Sequence, residues 1–129
     1  MATHQDAMLI IEFSRWAEDW GFHPANRWVR GHLDEVRDFG TFAELHPPGT
    51  DEHRHPFTVL GYFENLGLFH RHGVIDEDLL FDWLNFTEPW QLLRGFAVSH
   101  REASGKPELW EHFERLAGEQ ERRLGSRAG

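Results

Sequence analysis

The 129-residue chain contains no cysteine and only one lysine. Without cysteine it forms no disulfide and offers no thiolate as nucleophile or metal ligand. Valine, isoleucine and threonine together number only 13, which disfavours a core built from β-sheet. No segment approaches the roughly 20 apolar residues that a membrane-spanning helix needs. The N-terminus lacks the basic start of a signal peptide and soon reaches Glu12, so we expect a cytoplasmic protein with no membrane contact.

Positive charge is also scarce. The chain has 13 basic against 22 acidic residues, which gives a formal net charge of −9 at pH 7. Proteins that bind the phosphate backbone carry clustered lysine and arginine, and the sequence has no such cluster. We therefore expect no nucleic-acid partner.

Aromatic residues are abundant, 18 in all, and apolar residues recur at helical spacing along the chain. Leu9, Phe13, Trp16 and Trp20, for example, form one stripe of a helix that ends at Gly21. The same spacing, with proline, glycine and capping residues as boundaries, predicts six helices and a loop over 40–53. The first helix ends at Gly21, and the second runs from Pro24 to near Gly40. The third spans about 51–72 and the fourth about 76–85. The fifth runs from a Thr87 cap to Ser104, and the sixth begins at Pro107.

Six helices with mostly short connections predict an all-α fold, a single-domain compact bundle. We expect residues 1–117 to form the helical bundle domain. Residues 118–129 are polar, and we expect this C-terminal tail to fray.

The third predicted helix is apolar around most of its circumference, which is typical of the buried centre of a domain. Gly61 and Gly67 each lower its helix propensity by roughly 1 kcal/mol relative to alanine. Such a loss is tolerable where another helix or a bulky ring approaches the backbone closely. Glu64 lies in the middle of an apolar stripe of this helix, so its carboxylate must be paired or protonated.

Several features of the second half form a known combination: Tyr62-Phe63-Glu64 on a helix, the turn Gly73-Val74-Ile75-Asp76, Trp90 opening a later helix, and Arg101 after it. Together they resemble a family of small helical bacterial proteins classified only as a domain of unknown function. The resemblance covers about residues 55–117 and implies an all-helical fold, with no particular activity. Many members of that family carry a membrane helix before this domain. The present sequence contains none, so a membrane-linked role is not expected.

Glu64 and Arg101 form the sharpest candidate site. One interpretation is a buried ion pair that joins the third helix to the fifth. The alternative is a pocket for a small ligand or for catalysis, with Glu64 as acid or base, or Arg101 as the anchor for an anion.

The ten histidines include two His-Arg-His triplets, at 53–55 and 70–72. Residues two apart on a helix point in different directions, so neither triplet chelates a metal. The acidic run Asp76-Glu77-Asp78 lacks a calcium-loop pattern and suits a helix N-terminus, with Asp76 as the N-cap. We therefore predict no metal and no cofactor.

The six tryptophans lie on or near the predicted inner stripes, and core packing explains most of them. Trp83, Trp90 and Trp110 are candidates for an aromatic lining, or for contact with a second subunit. No catalytic residues are predicted, because no motif of catalysis occurs. The leading hypothesis is a non-catalytic module that binds a protein partner or forms a homo-oligomer, with a dimer favoured. The rival hypothesis, an enzymatic or ligand pocket around Glu64 and Arg101, stays open.

Overall fold

The computed structural model describes residues 1–128 and confirms the all-helical fold. Over these residues it has seven helices and no strand. The helices are α1 (His4–Asp19), α2 (Phe22–Gly31), α3 (Phe39–Leu45), α4 (Arg54–Arg71), α5 (Glu77–Trp83), α6 (Thr87–Ser104) and α7 (Glu111–Ala128).

Helix α4 lies at the centre of the bundle, as its apolar sequence predicts. It packs against α2, α6 and α7, and buries residues along most of its length. Both of its glycines lie at close approaches. A Cβ on Gly61 would lie 2.9 Å from the ring of Trp20, and a Cβ on Gly67 would lie 2.5 Å from the backbone oxygen of His112 in α7. A bulky ring and a neighbouring helix therefore approach these glycines, which is the setting in which glycine is tolerable inside a helix.

Three glycines end helices where the sequence predicts it. Gly21, Gly73 and Gly105 all have φ between 65° and 74°, the left-handed region that glycine adopts without strain. Gly21 also lets α2 begin two residues after Trp20, the C-cap of α1, and this tight connection brings α2 alongside α1 and α4.

The predicted second helix and the loop at 40–53 are wrong in their bounds. Helix α2 ends at Gly31, and the separate short helix α3 forms within the predicted loop. The Asp38 side chain caps α3 by accepting a hydrogen bond from the Thr41 amide at 3.0 Å. Phe42 is fully buried in the core, so burial of this ring holds the short helix in place.

Two predicted helix starts also differ from the structure. Phe86 is the N-cap of α6 in place of Thr87, whose hydroxyl instead donates to the Ala117 carbonyl oxygen at 3.3 Å. Helix α7 begins at Glu111, not at Pro107, because Trp110 has φ 65° and interrupts the helical conformation.

The C-terminal segment, for which the sequence predicts fraying from residue 118, continues as α7. Gln120 explains this difference, since its side chain is only 5% exposed and contacts the α5–α6 connection. Its Oε1 accepts from the Phe86 amide at 2.7 Å, and its Nε2 donates to the Leu84 carbonyl oxygen at 2.8 Å. This polar segment is therefore anchored by Gln120 together with Arg123, whose guanidinium pairs with Glu77 and Asp78 of α5.

Candidate functional site

An aromatic-walled cavity of about 300 Å³ lies between α1, α2, α4 and the α5–α6 connection. This volume is at the lower end of the range of small-molecule sites. We call it the aromatic cavity. Its lining residues are Ser14, Ala17, Phe22, His23, Asn26, Arg30, Tyr62, Phe63, Trp83, Leu84, Asn85, Glu88 and Pro89.

Packing of α2 on α4 forms the inner wall of the aromatic cavity. The ring centre of Phe22 lies 4.7 Å from that of Tyr62 and 5.3 Å from that of Phe63. Trp83, the last residue of α5, forms another part of the wall and stacks on Phe13 of α1 at 6.3 Å. Four aromatic rings from three helices therefore surround one space.

Tyr62 contributes its ring to this wall, while its hydroxyl is engaged elsewhere. The hydroxyl donates a hydrogen bond to the Phe13 carbonyl oxygen at 2.9 Å. Burial raises the pKa of Tyr62 to about 12. The phenol therefore stays neutral at physiological pH and does not serve there as a base or nucleophile.

An ion pair between Arg30 of α2 and Glu88 of α6 lies at the rim of the cavity. The guanidinium donates from Nη1 to Oε2 at 2.9 Å and from Nη2 to Oε1 at 2.5 Å, so the pair is bidentate. The hydrogen bond from Arg30 lowers the pKa of Glu88, which keeps this carboxylate ionised. The side chains are 40% and 50% exposed, so this pair borders solvent.

Small polar side chains complete the lining. The Ser14 hydroxyl donates to the Ile10 carbonyl oxygen at 2.9 Å, and Asn85 Oδ1 accepts from the Glu88 amide at 3.2 Å. His23 and Asn26 of α2 also face the space. The serine and tyrosine hydroxyls both donate to backbone carbonyls and the carboxylate is paired, so the arrangement suits binding better than bond making.

Glu64 and Arg101, the pair singled out in the sequence, bind the same helix end instead of each other. Glu64 Oε1 accepts a hydrogen bond from the Phe113 amide in the first turn of α7 at 2.8 Å. Arg101 donates from Nε to the Leu109 carbonyl oxygen at 2.8 Å, and from Nη2 to Glu114 at 3.1 Å. Within residues 1–128 no ion pair joins the two, so the predicted direct contact is wrong.

The physical reason is the position of the α7 N-terminus. A backbone amide in the first turn of a helix has no partner within that helix, so it is available to donate a hydrogen bond to a neighbouring carboxylate. Glu64 caps α7 from the side of α4, while Arg101 holds the connection before α7 from the side of α6. Neither residue lines the aromatic cavity.

The three candidate tryptophans lie in three different places. Trp83 lines the aromatic cavity. Trp90 is buried and packs edge-on against Phe113, with ring centres 5.1 Å apart. Trp110 donates its indole N–H to Nδ1 of His100 at 3.1 Å. Only one of the three therefore contributes to the cavity.

A polar cluster at the junction of α4, α5 and α7 brings His70, Glu77 and Glu119 together. Their ligand atoms lie within 4.8 Å of one another, a spacing that suits a metal ion. His70 Nε2 lies 2.7 Å from Glu77 Oε1 and 3.7 Å from Glu119 Oε2. Sequence spacing does not find this cluster, because the residues lie on separate helices.

Arginines in the same cluster favour a hydrogen-bonded ion network over a metal site. Arg115 Nη1 lies 3.2 Å from His70 Nδ1 and, having only donors, donates to it. The proton of the neutral imidazole then lies on Nε2, pointing at Glu77. A metal on Nε2 would have to displace that proton, while Arg115 and Arg123 already pair with Glu119 and Glu77.

Sequence reasoning also misses the aromatic cavity. Arg30 and Glu88 are 58 residues apart, and neither belongs to a recognisable motif. The only signal is the surplus of aromatic residues, which indicates a crevice without giving its position.

No helix in the described part of the chain combines the length and apolarity needed to cross a membrane. Comparison with curated proteins and with solved structures finds no match to this chain. The family model described as a domain of unknown function, DUF4760, matches residues 1–120, and so extends over the N-terminal helices as well as the region of resemblance. The chain therefore belongs to this DUF4760 family of helical domains of unknown function.

Proposed function

We propose that this chain is a non-catalytic binding module, and that its binding site is the aromatic cavity. The proposal depends mainly on one observation: an aromatic-walled space of about 300 Å³ that has several polar side chains in its lining. An apolar pocket with a few convergent polar groups is the usual form of a small-molecule site. The ligand that fits is small, flat and mostly apolar.

The chemistry of the lining supports binding without catalysis. Tyr62 is held neutral by burial, and Glu88 is held ionised by Arg30. A general acid or base needs a pKa near the working pH, and these two groups are displaced away from it.

Binding is tested with two neutral aromatic probes, benzyl alcohol and 2-naphthol, by isothermal titration calorimetry and by ¹H–¹⁵N NMR. We expect saturable binding, with the largest amide shifts at Ala17, Asn26 and Trp83, which line the cavity. No saturable binding by either probe, or shifts confined to other surfaces, would contradict the proposal.

A blocking variant sharpens this test. Ser14 is exposed and lines the cavity, so Ser14→Phe places a ring in the cavity with little change in the core. The matched control is Ser104→Phe, at an exposed position at the end of α6. We expect Ser14→Phe to abolish probe binding and Ser104→Phe to preserve it. Equal binding by both variants would place the probe outside the aromatic cavity.

A second candidate function is self-association through the outer face of α1. Of the 18 aromatic residues only Trp20 is exposed, so the aromatic surplus is taken up by the core and no longer argues for an interface. Met8 and Ile11 of α1 and Val74 are exposed. A groove beside them is lined by Met8, Leu9 and Val74 together with the polar residues Thr3, Gln5, Asp6 and Glu12. Apolar side chains exposed beside a groove allow a two-fold contact with a second copy of the chain.

Light scattering at micromolar concentration tests the second candidate. A dimer has twice the 15.2 kDa mass of the chain, and we expect the double variant Met8→Gln, Ile11→Gln to return it to a monomer. Leu124→Gln, on the exposed face of α7, is the control. A monomer at the highest attainable concentration would exclude this candidate and leave the cavity proposal unchanged.

A further inference from the structure

We propose that the ligand of the aromatic cavity is an organic cation, an ammonium group attached to an apolar body. This inference rests on the proposed function and specifies the class of ligand. The cation lies against the aromatic wall, with Glu88 as its counter-ion.

The wall of the aromatic cavity is built mainly from aromatic rings. Phe22, Tyr62, Phe63 and Trp83 all line the same space. The face of an aromatic ring carries a negative partial charge, so several rings around a cavity attract a cation. The same rings disfavour an anion that is stripped of its water. The Tyr62 hydroxyl donates to Phe13, so only the ring of this residue is offered to a ligand.

The rim of the aromatic cavity carries one carboxylate and one guanidinium. Glu88 is the only carboxylate among the lining residues, and its hydrogen bond with Arg30 keeps it ionised. Arg30 is the only arginine there, and both of its terminal nitrogens donate to Glu88. The pair is close to neutral as a unit, so it favours neither sign of charge by itself. The aromatic wall therefore determines that the cavity prefers a cation.

Both side chains of the Arg30–Glu88 pair border solvent, so a ligand can reach Glu88. The bidentate geometry makes this pair stronger than most exposed ion pairs, so a cation displaces Arg30 only because its contacts with the aromatic wall offset the loss. An incoming ammonium group takes the place of the guanidinium, which moves into water. The net charge of the whole molecule also favours a cationic ligand, because 22 acidic against 13 basic residues produce a field that attracts cations.

Three probes of similar shape test the inference by calorimetry: phenyltrimethylammonium, its neutral isostere tert-butylbenzene, and benzoate. We expect phenyltrimethylammonium to bind roughly tenfold more tightly than tert-butylbenzene, in line with the usual strength of cation–π contacts. Benzoate should bind most weakly. Added salt should weaken binding of the cation while leaving binding of the neutral probe unchanged.

Two charge variants give opposite results if the inference is correct. Glu88→Gln removes the counter-ion and leaves Arg30 unpaired, so binding of phenyltrimethylammonium should weaken about tenfold or more. Arg30→Gln frees Glu88, so binding of the same probe should tighten. Arg27→Gln and Glu18→Gln, exposed on α2 and α1 and outside the lining, are the matched controls and should change little. A merely structural ion pair would give the same direction of change in both variants.

The possible failures are distinguishable. If tert-butylbenzene binds as tightly as the cation, or benzoate binds more tightly, the cation inference is wrong and the cavity proposal stands. If no probe binds and Ser14→Phe changes nothing, the proposed function itself is wrong.

Discussion

Glu64 shows how a half-buried carboxylate on an apolar helix is stabilised without a cationic side chain. Its oxygen accepts the Phe113 amide at 2.8 Å, at the positive end of the α7 dipole. Arg101 holds the preceding turn through the Leu109 carbonyl. The two residues therefore stabilise the start of α7 through separate partners.

Separate partners predict additive losses. Glu64→Ala leaves the Phe113 amide without an acceptor, and we expect it to lower the free energy of unfolding by about 1–3 kcal/mol. Glu64→Gln keeps an acceptor oxygen and should cost less. Urea unfolding of Glu64→Ala, Arg101→Ala and the double variant should give losses that add within about 0.5 kcal/mol. A coupling energy well above this value would mean that the two residues act on the start of α7 as a unit and not independently.

His100 is a second residue whose protonation state matters to the fold. Its Nδ1 accepts the Trp110 indole N–H at 3.1 Å, which requires a neutral imidazole because indole only donates. The ring packs against Phe39, Phe57 and Phe96, and this burial lowers the pKa of His100, with a smaller contribution from the charge of His53.

A lowered pKa predicts sensitivity to acid. The unfolded chain binds the proton more readily, so stability rises with pH in this range. The contribution of His100 should be complete above the ordinary histidine pKa of about 6.5 and should be lost as the pH falls through the lower folded-state pKa. Urea unfolding between pH 7.5 and 5 should therefore show a shallower pH dependence for His100→Gln than for the parent chain. His23→Gln, at an exposed position, is the control, and an unchanged pH dependence in His100→Gln would contradict the assignment.

At the scale of helices, the contact between α4 and α7 depends on the missing side chain of Gly67. Its backbone lies directly against His112, where a Cβ would meet both the carbonyl oxygen at 2.5 Å and the carbonyl carbon at 2.7 Å. A backbone neighbour has no rotamer through which to withdraw. The close packing of these two helices therefore requires glycine.

Gly67→Ala should force α7 away from α4 and destabilise the fold by roughly 1–3 kcal/mol, the usual cost of overpacking. Gly31→Ala is the matched control, because nothing lies within 4 Å of a Cβ there and alanine is the better helix former. Thermal unfolding should therefore show a lower midpoint for Gly67→Ala and an equal or higher midpoint for Gly31→Ala. Equal midpoints for both variants would mean that the helices can separate without cost.

Gln120 joins α7 to the connection between α5 and α6. Replacement by leucine should leave the Phe86 amide and the Leu84 carbonyl without their partners in a buried position. An unsatisfied buried group costs about 1–3 kcal/mol, so we expect Gln120→Leu to destabilise the fold by at least that amount. Glu121→Leu, at the exposed neighbouring position, is the control in the same urea experiment. A chain shortened after residue 117 should unfold more readily still, and normal stability of that chain would confirm a dispensable tail.

Some helix boundaries are predicted by the local sequence and others are not. Gly21, Gly73 and Gly105 end helices as predicted, because the left-handed conformation is a property of the residue itself. Helix α3 is not predicted, because the segment that contains it is rich in proline and glycine. Burial of Phe42 stabilises this short helix. The delayed start of α7 depends on the positive φ of Trp110, which no sequence pattern indicates.

At the scale of the whole molecule, helices distant in sequence bring ionisable groups together. His70, Glu77 and Glu119 meet from α4, α5 and α7, and form the one group of possible metal ligands in the described residues. The adjoining Arg115 and Arg123 pair with these acids. We therefore still predict that the protein binds no metal. If this prediction is wrong, the cluster is the first place to look for the ion.

Elemental analysis of the purified protein, after removal of any affinity tag, should find no stoichiometric zinc, nickel or copper. Titration with zinc should leave the unfolding midpoint unchanged, because the proton on His70 Nε2 and the arginines compete for the same ligands. About one metal per chain would contradict this. Loss of that metal in His70→Ala but not in His72→Ala, an exposed histidine nearby, would then place it at the cluster.

Residue patterns along the chain are enough to predict the helical class and the central position of α4. These follow from periodicity and from the size of side chains, which are local properties of the chain. Which groups meet depends on the packing of the helices, and so do the close approaches to Gly61 and Gly67. The Glu64 carboxylate accepts a hydrogen bond from a backbone amide instead of pairing with Arg101, and Arg30 pairs with Glu88, which is 58 residues away in the sequence. The aromatic rings closed around a cavity instead of remaining on the surface, because partners for rings and charges depend on how the helices pack.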